Sequence, residues 1–206
     1  MRCVAVSDTH GKYAELSIPD GDVFIHAGDI LKWGLIEELT DFNDWLASLP
    51  HQYKLVIAGN HDWCFERTPS KAAEIMTNGV YLQDQAVTIK GSVFYGSPWQ
   101  PTFMNWAFNL PRGQQLADKW KLIPDSTDVL ITHGPSYGIL DECIDGKRAG
   151  CEDLSNAVAR TKPSYHVFGH IHEGYGVLEK DGVTYINASV NTHLYKSENP
   201  PIVFDL

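Results

Sequence analysis

The sequence predicts an α/β fold built from stacked layers with at least partly parallel sheets. Over the first 80 residues, apolar runs alternate with segments of helical periodicity, which is typical of parallel strands joined by helices. Short β-like runs between positions 80 and 96, and a hairpin signal at Asp181-Gly182, add antiparallel strands. The chain has 206 residues, of which 43% are hydrophobic and 20% charged. This size and composition predict one globular domain covering residues 1–206.

In the first part of the chain the predicted order is strand, strand, helix, strand, helix. The strands cover 2–7, 23–27 and 53–58, where apolar side chains dominate. A helix is predicted over 35–49, and Pro50 ends it. A shorter helix is predicted over 70–77, with Ser70 as its N-cap. The apolar face of the longer helix is formed by Leu35, Leu39, Phe42, Leu46 and Leu49.

The second part begins with β-like runs at 80–82, 86–89 and 93–95, which are predicted to be antiparallel neighbours. Residues 97–112 form a long loop rich in proline and aromatic residues, and loops of this length are often functional. Its aromatic side chains either stack on a nucleobase or join the core. The remaining predictions are helices over 114–122 and 151–161, strands over 129–132, 165–168 and 202–204, and a hairpin over 176–180 and 183–187.

Composition and charge narrow the range of partners. The formal net charge of -10 argues against a nucleic-acid polymer, because such partners need clustered Lys and Arg. No apolar run is long enough to span a bilayer, so no membrane partner is expected. The first strand leads directly into polar residues of interest, so a cleaved leader is not expected. The four cysteines form no C-x-x-C pair, which predicts reduced thiols in a cytoplasmic protein.

Polar side chains follow five apolar runs at the point where each run ends. If these strands are parallel, their ends meet at one edge of the sheet. Each ending taken singly is also compatible with an ordinary turn, since Asn and Asp favour turns. Five such endings together favour a shared site. The residues are Asp8 and His10, Asp29, Asn60 and His61, His133, and His170 and His172.

The residue types at these strand ends predict a metal site. Imidazole together with carboxylate suits zinc, manganese, iron or cobalt, whereas magnesium and calcium prefer oxygen ligands. The candidates are too many for one tetrahedral ion and enough for two. Two divalent ions about 3.5–4 Å apart repel by roughly 20 kcal/mol at an effective dielectric constant of about 20. A bridging anion is therefore required, and Asp29 on the second strand is the candidate.

The same clusters fall into five ordered motifs: Asp8-x-His10, Gly28-Asp29, Gly59-Asn60-His61-Asp62, Thr132-His133-Gly134 and Gly169-His170-x-His172. In this order they resemble the motifs of the calcineurin-like metallophosphoesterases, and the resemblance covers nearly the whole chain. It implies a four-layer α-β-β-α sandwich, in which two mixed β-sheets are flanked by helices.

The resemblance also implies a role for each residue. His61 would stand near the substrate as an acid. Two metal ions would share Asp29. The ligands of one ion would be Asp8, His10, Asp29 and His172, and those of the other Asp29, Asn60, His133 and His170.

A second set of segments lies at 26–29, 42–46, 110–114, 130–135, 169–176 and 199–206. These segments resemble a small branch of the family that contains the metallophosphoesterase-domain-containing proteins 1 and 2. The branch is linked to cyclic-nucleotide phosphodiesterase activity, including activity on 2′,3′-cyclic nucleotides. Some of its members replace the first histidine of the Gly-His-x-His motif. This chain keeps His170, so both metal positions are expected to fill.

One segment departs from the protein Ser/Thr phosphatases of the superfamily, which extend Gly-Asp with Asp-Arg-Gly. Here Gly28-Asp29 is followed by Ile30-Leu31-Lys32-Trp33-Gly34. This extension lacks the Asp that would orient the acid and the Arg that would grip phosphate. The difference argues against a phosphoprotein phosphatase.

We therefore expect a metal-dependent phosphodiesterase that acts on small nucleotides, with 2′,3′-cyclic nucleotides as the expected substrates. In the expected mechanism two bound ions would supply the hydroxide that attacks phosphorus in line, and His61 would protonate the leaving ribose oxygen. Manganese is the expected metal, with iron, zinc, cobalt or magnesium as alternatives. Substrate contacts are expected from Asn60, His61 and His133, and from Trp99 and Arg112 of loop 97–112.

Two other classes of function stay open. The first is a phosphomonoesterase or a nuclease that uses the same site. The second is a non-catalytic module that binds a nucleotide or a partner protein. Such a module is expected to lack one of the metal-binding residues, and this sequence lacks none of them. Asp62 either orients neighbouring groups or only shapes the turn. The sequence leaves the native metals and the oligomeric state open.

Overall fold

The computed structural model describes residues 1–206 and contains thirteen strands and five helices. In chain order they are β1 (Arg2–Val6), β2 (Val23–Ala27), α1 (Ile36–Ser48), β3 (Tyr53–Ile57), α2 (Trp63–Arg67), α3 (Pro69–Ile75), β4 (Val80–Tyr81), β5 (Gln85–Ile89), β6 (Ser92–Ser97), β7 (Gln100–Pro101), β8 (Asn109–Leu110), α4 (Gln114–Trp120), β9 (Val129–Thr132), α5 (Glu152–Thr161), β10 (Tyr165–Phe168), β11 (Gly176–Lys180), β12 (Val183–Asn187) and β13 (Ile202–Asp205).

The strands form two mixed sheets. The first has the order β13-β1-β2-β3-β4, in which β13 is antiparallel to β1 and all other neighbours are parallel. The second has the order β11-β12-β10-β9-β6-β5, with antiparallel pairs only at its two edges. Strands β7 and β8 form a small parallel pair inside the loop 97–112. The predicted α/β class is confirmed.

Alternation along the buried strands explains how the layers stack. Successive side chains of a strand point to opposite faces of its sheet. In β2, Val23 and Ile25 therefore lie in the core between the two sheets, whereas Phe24 packs with α1 and its neighbours. In β10, Val167 joins the core between the sheets, and Phe168 packs on the other side with α4 and α5. Both sheets thus lie between helices, which confirms the four-layer α-β-β-α arrangement.

Strand β4 is the main difference from the predicted elements. It was expected beside β5 and β6 as an antiparallel neighbour, but it pairs in parallel with β3 in the other sheet. The backbone N–H of Leu82 donates to Val56 O at 2.8 Å, and the Leu82 side chain enters the core between the sheets. A strand of two residues has no periodicity of its own, so the sequence pattern could not decide which sheet it joins.

The segment after β3 also differs in detail. Helix α2 was not predicted, because five residues are too few to show a helical period. Helix α3 begins at Pro69, so Ser70 lies inside the helix instead of capping it. Proline is favourable there because its fixed backbone angle suits the first helical position. No helix in the structure combines the length and the apolar character that crossing a membrane requires.

Candidate active site

The carboxyl ends of five parallel strands converge where the two sheets face each other. The sequence predicted one shared sheet edge. In the structure, β1, β2 and β3 belong to the first sheet, whereas β9 and β10 belong to the second. The two sets meet at Asp29 Oδ1, which lies 3.4 Å from His133 Nε2. A cavity of about 260 Å³ opens there, lined by His10, Asp29, Asn60, His61, Phe103, Met104, Trp106, His170, His172 and Tyr195.

Three groups of potential ligand atoms lie in this region, and within each group the atoms are no more than 4.8 Å apart. Two of the groups share His10 and two share Asp29, so the three groups form one connected cluster. The groups are Asp8 with His10 and His172, His10 with Asp29 and His61, and Asp29 with His133 and His170. With Asn60 in the cavity wall, the structure brings together all the strand-end residues that the sequence singled out.

Asp29 stands at the centre of the cluster. Its Oδ1 accepts a hydrogen bond from the backbone N–H of His61 at 2.8 Å. Its Oδ2 faces His10 Nε2 at 3.8 Å and His61 Nε2 at 4.0 Å. The carboxylate is buried and is approached from both sheets. Its two oxygens therefore point toward two different groups of imidazoles.

Asp8 is a second buried carboxylate, at the end of β1. It accepts from the backbone N–H of His170 at 3.0 Å and from Ser189 Oγ at 2.6 Å. His172 Nε2 lies 3.5 Å from its Oδ1. These contacts connect β1 with the segments after β10 and β12, and they hold the carboxylate in one orientation.

Backbone carbonyls orient three of the imidazoles. The Nδ1 atom of His133 lies 3.0 Å from Ala27 O, and that of His172 lies 3.1 Å from Thr192 O. The Nδ1 atom of His61 lies 3.1 Å from Lys32 O. A carbonyl can only accept, so each Nδ1–H donates, and each Nε2 is directed toward the cluster. Such outer contacts fix the tautomer of metal-binding histidines.

The side chains fit divalent cations on two further observations. Both ring nitrogens of His10 are buried without a hydrogen-bond partner, although the ring lies beside Asp29. Asn60 Oδ1 lies 2.9 Å from His133 Nε2, so a neutral oxygen and an imidazole nitrogen converge on the same place. Nitrogen donors mixed with carboxylate and amide oxygens suit borderline transition metals.

The charges of the cluster support the same conclusion. Burial opposes the charged form of His133, but Asp29 raises its pKa to about 9. Burial likewise opposes the charged form of His172, but the hydrogen bond with Asp8 raises its pKa to about 8. Burial also opposes ionisation of Asp8, but the contact with His172 holds its pKa well below the usual range. Two buried anions thus draw positive charge into the cluster.

Backbone strain and close approach mark the same positions. Asp8, His10, Asp29 and His170 have φ angles between 45° and 68°, and they are four of the twelve non-glycine residues with positive φ in this chain. A Cβ atom on Gly59 would lie only 2.4 Å from Asp29 Oδ1. The glycine therefore lets the β3 turn approach the central carboxylate.

Asp62 holds two turns together. Its carboxylate accepts backbone N–H groups of Gly59 at 2.7 Å, Leu31 at 2.9 Å and Ile30 at 3.2 Å. Burial and the neighbouring Asp29 raise its pKa to about 7, and the three N–H groups oppose that rise. Asp62 thus fixes the turn after β3 against the turn after β2 and lies outside the cavity lining.

His61 is at the open side of the cluster, where its side chain is 15% exposed. Its ring stacks on Trp106 with centroids 4.2 Å apart and an interplanar angle of 23°. Lys32 O holds Nδ1, so Nε2 is the nitrogen that faces the cavity. The arrangement can present a proton at a fixed position.

The structure places Trp99 and Arg112 outside this cavity. The Trp99 indole N–H donates to Asp84 at 2.9 Å, and Lys119 Nζ lies 4.3 Å above its ring. The expected substrate contact from Trp99 is therefore replaced by a packing role, and Trp106 is the tryptophan of the loop that reaches the cavity. The Arg112 guanidinium donates to two backbone carbonyls and lines an adjacent cavity.

Sequence reasoning missed the contributions of the segment after β12. Ser189 Oγ donates to the Asp8 carboxylate, and Asn191 Nδ2 donates to Asp8 O at 2.6 Å. Tyr195 lies beside His10 with ring centroids 5.0 Å apart. Polar residues alternate with apolar ones at 187–191 directly after the hairpin, and this signal could have identified a sixth strand end.

Comparisons with known proteins agree with this geometry. A family model described as calcineurin-like phosphoesterase matches residues 1–174. The human protein named metallophosphoesterase domain-containing protein 1 is 49% identical, and the alignment covers 100% of this chain and 71% of the human protein. A Caenorhabditis elegans protein named UPF0046 protein K07C11.7 is 42% identical over 99% of this chain and 74% of its own length.

Solved structures also resemble this fold across most of the chain. The structure of TT1561 from Thermus thermophilus has a TM-score of 0.61 at 14% identity, covering 90% of this chain and 88% of that chain. At this identity the likeness concerns the fold alone. It agrees with two mixed sheets flanked by helices.

The contacts of Asp62 predict a large effect on stability. In Asp62→Ala, three buried N–H groups lose their acceptor, so the free energy of unfolding should fall by about 3–5 kcal/mol. Asp62→Asn keeps one acceptor oxygen and should lose less. Urea unfolding in the presence of a chelator measures both values.

The matched control is Asp145→Ala, which removes an exposed carboxylate paired only with the nearby Lys147. Its effect should stay below about 1 kcal/mol. Similar small losses at both positions would show that Asp62 does not hold the two turns.

Proposed function

The chain belongs to the calcineurin-like phosphoesterase family, and from that premise we propose that it is a metal-dependent phosphodiesterase acting on small nucleotides, with 2′,3′-cyclic nucleotides as substrates. Family membership supports hydrolysis of a phosphate ester. The observation that carries the finer proposal is the connected ligand cluster, in which the oxygens of Asp29 point toward two sets of imidazoles. A carboxylate in that position suits a bridge between two cations.

We assign the ligands of the two ions to two sets that share Asp29. Asp8, His10, Asp29 and His172 would hold one ion, and Asp29, Asn60, His133 and His170 the other. Manganese suits the mixture of imidazole and carboxylate, as do iron, zinc and cobalt, with magnesium less favoured. When bound, such ions supply polarisation of the phosphoryl group and a lowered pKa of coordinated water.

The cavity walls favour a singly charged diester over a doubly charged monoester. All the nitrogen bases that line the cavity are histidines, and no Lys or Arg side chain lines it. The second negative charge of a phosphate monoester would therefore find no ammonium or guanidinium group in the walls. Phe103, Trp106 and Tyr195 add aromatic surface around the histidines, which suits the base or sugar of a nucleotide.

His61 is the proposed general acid. Its Nδ1–H donates to Lys32 O, and the Trp106 ring holds the imidazole plane, so Nε2 faces the bound ester. In its imidazolium form His61 can deliver the Nε2 proton to the departing ribose oxygen and become the neutral ring that keeps its Nδ1–H on Lys32 O. Asn60 and His133 would contact the phosphate beside it.

The proposal treats residues 1–206 as one catalytic domain. This is supported by β13, which pairs with β1 and so joins both ends of the chain in one sheet. A cytoplasmic location is part of the proposal and is supported by four unpaired cysteines, three of them buried. The expected partner is a small-molecule substrate, and the net charge of -10 disfavours a nucleic-acid polymer.

The decisive experiment is a substrate panel with manganese and a metal-stripped control. The panel contains 2′,3′-cyclic AMP, AMP and single-stranded DNA. We expect the cyclic diester to be hydrolysed fastest and the stripped protein to be inactive. Faster release of phosphate from AMP would indicate a monoesterase, faster cleavage of DNA a nuclease, and no turnover with tight nucleotide binding a non-catalytic module.

Substitution of the central carboxylate tests the bridge. In Asp29→Asn the charge and one acceptor oxygen are lost, so repulsion between two cations is no longer offset. Elemental analysis after dialysis should find about two manganese ions per wild-type chain and one or fewer in the variant. Asp145→Asn, on an exposed loop, is the control. Retention of two ions by Asp29→Asn would exclude the bridge.

The acid role of His61 is tested by changing the leaving group. With an alkoxide leaving group, His61→Ala should lower kcat by about 10²–10⁴, because a general acid contributes that much. With a nitrophenolate leaving group, which needs no proton, the loss should be much smaller. Metal content and circular dichroism check that the variant is folded. Equal losses on both substrates would remove His61 from this role.

A further inference from the structure

A second cavity lies beside the metal-ligand candidates, and we infer that it binds the nucleobase of the substrate. Its volume is about 240 Å³. Phe103 and His170 line both cavities, and their rings are 6.3 Å apart in an edge-to-face arrangement. A nucleotide whose phosphate lies at the ligand cluster can therefore extend past these two rings into the second cavity. The inference rests on the proposed function and adds the substrate class that the site selects.

The walls of this cavity suit a flat heteroaromatic ring. Pro101 and Phe103 come from the loop after β6, Pro135 from the turn after β9, and Ile171 from the turn after β10. Pro135 and Ile171 are buried and so form a fixed apolar floor. Sites of this kind combine apolar walls with a few polar groups that set orientation.

Arg112 supplies a flat cationic wall. Its Nη1 donates to Gly150 O at 2.7 Å and its Nη2 to Ala149 O at 3.0 Å, so two in-plane donors are held by backbone. Glu152 lies 3.8 Å from Nη1. A guanidinium fixed in this way presents its face, and guanidinium faces stack on aromatic rings. Arg112 is therefore a contact for the base and not for the phosphate.

Glu173 gives the cavity a preference among bases. Its Oε1 accepts from the backbone N–H of Ile144 at 3.2 Å, which holds the carboxylate at the cavity wall. The second oxygen can accept from an amino group on the edge of a base. Guanine presents two neighbouring donors, N1–H and the N2 amino group, whereas uracil presents a single N3–H donor between two carbonyl acceptors that a carboxylate would repel. Guanine nucleotides should therefore be preferred to uracil nucleotides.

A larger cavity elsewhere does not compete with this assignment. It has a volume of about 410 Å³ and lies between α5 and the β11–β12 hairpin. None of its lining residues lines the cavity of the ligand cluster, whereas Phe103 and His170 line both that cavity and the second one.

The test fills the second cavity and compares two diesters. Cys143 lines the cavity, and Cys143→Trp would place an indole in it. The control is Lys147→Trp in the same loop, where the side chain is 83% exposed and lies outside the cavity lining. The substrates are 2′,3′-cyclic GMP and methyl p-nitrophenyl phosphate, which has no base. For each variant the ratio of the two kcat/KM values is measured with manganese present.

We expect this ratio to fall about tenfold or more in Cys143→Trp, the scale of losing one base stack, and to stay constant in Lys147→Trp. Calorimetric binding of guanosine 3′-monophosphate should weaken by a similar factor in Cys143→Trp alone. Wild type should favour 2′,3′-cyclic GMP over 2′,3′-cyclic UMP, and Glu173→Gln should reduce that preference.

Equal losses on both diesters, or equal effects of Cys143→Trp and Lys147→Trp, would overturn the base subsite. So would guanosine monophosphate binding that is unchanged by Cys143→Trp. Failure of the proposed function looks different, because wild type would then hydrolyse neither diester. In that case the calorimetric comparison still decides whether the cavity takes a base.

Discussion

The site depends on the Asp29 carboxylate, where the two sheets meet. It lies at the end of β2, accepts a backbone N–H from the turn after β3, and faces His133 from the second sheet. This approach is possible only because Gly59 has no Cβ, which would otherwise lie 2.4 Å from Asp29 Oδ1. One buried anion thus connects the two layers at this edge and gathers the imidazoles around it.

Two other buried carboxylates stabilise this arrangement, Asp8 from within the ligand cluster and Asp62 from outside it. Asp8 ties β1 to the segments after β10 and β12, and Asp62 ties the turn after β2 to the turn after β3. Each is satisfied by hydrogen bonds that cross between segments distant in sequence. The candidate ligands are therefore held in place by hydrogen bonds from neighbours that are not ligands themselves, which is what precise positioning requires.

The aromatic loop shows the limit of reasoning from the sequence. Residues 97–112 contain several aromatic side chains without a regular period, so no pattern indicates which of them reaches the cavity. Trp99 was the expected contact, yet Asp84 and Lys119 hold it in a partly buried position that does not line the cavity. Trp106 instead stacks on His61. The choice between the two depends on partners more than ten residues away.

The sequence by itself determined the longer strands, their polar endings and the chemistry of the ligand set, because these follow from local alternation and from residue type, but it did not show the two-residue strands β7 and β8. It also identified the family through five ordered motifs. Only the tertiary structure decided that β4 joins the first sheet, that Ser189 supports Asp8, and that a second cavity opens past Phe103. Those features arise from contacts between segments far apart in the chain, and no local pattern encodes which distant partner will be met.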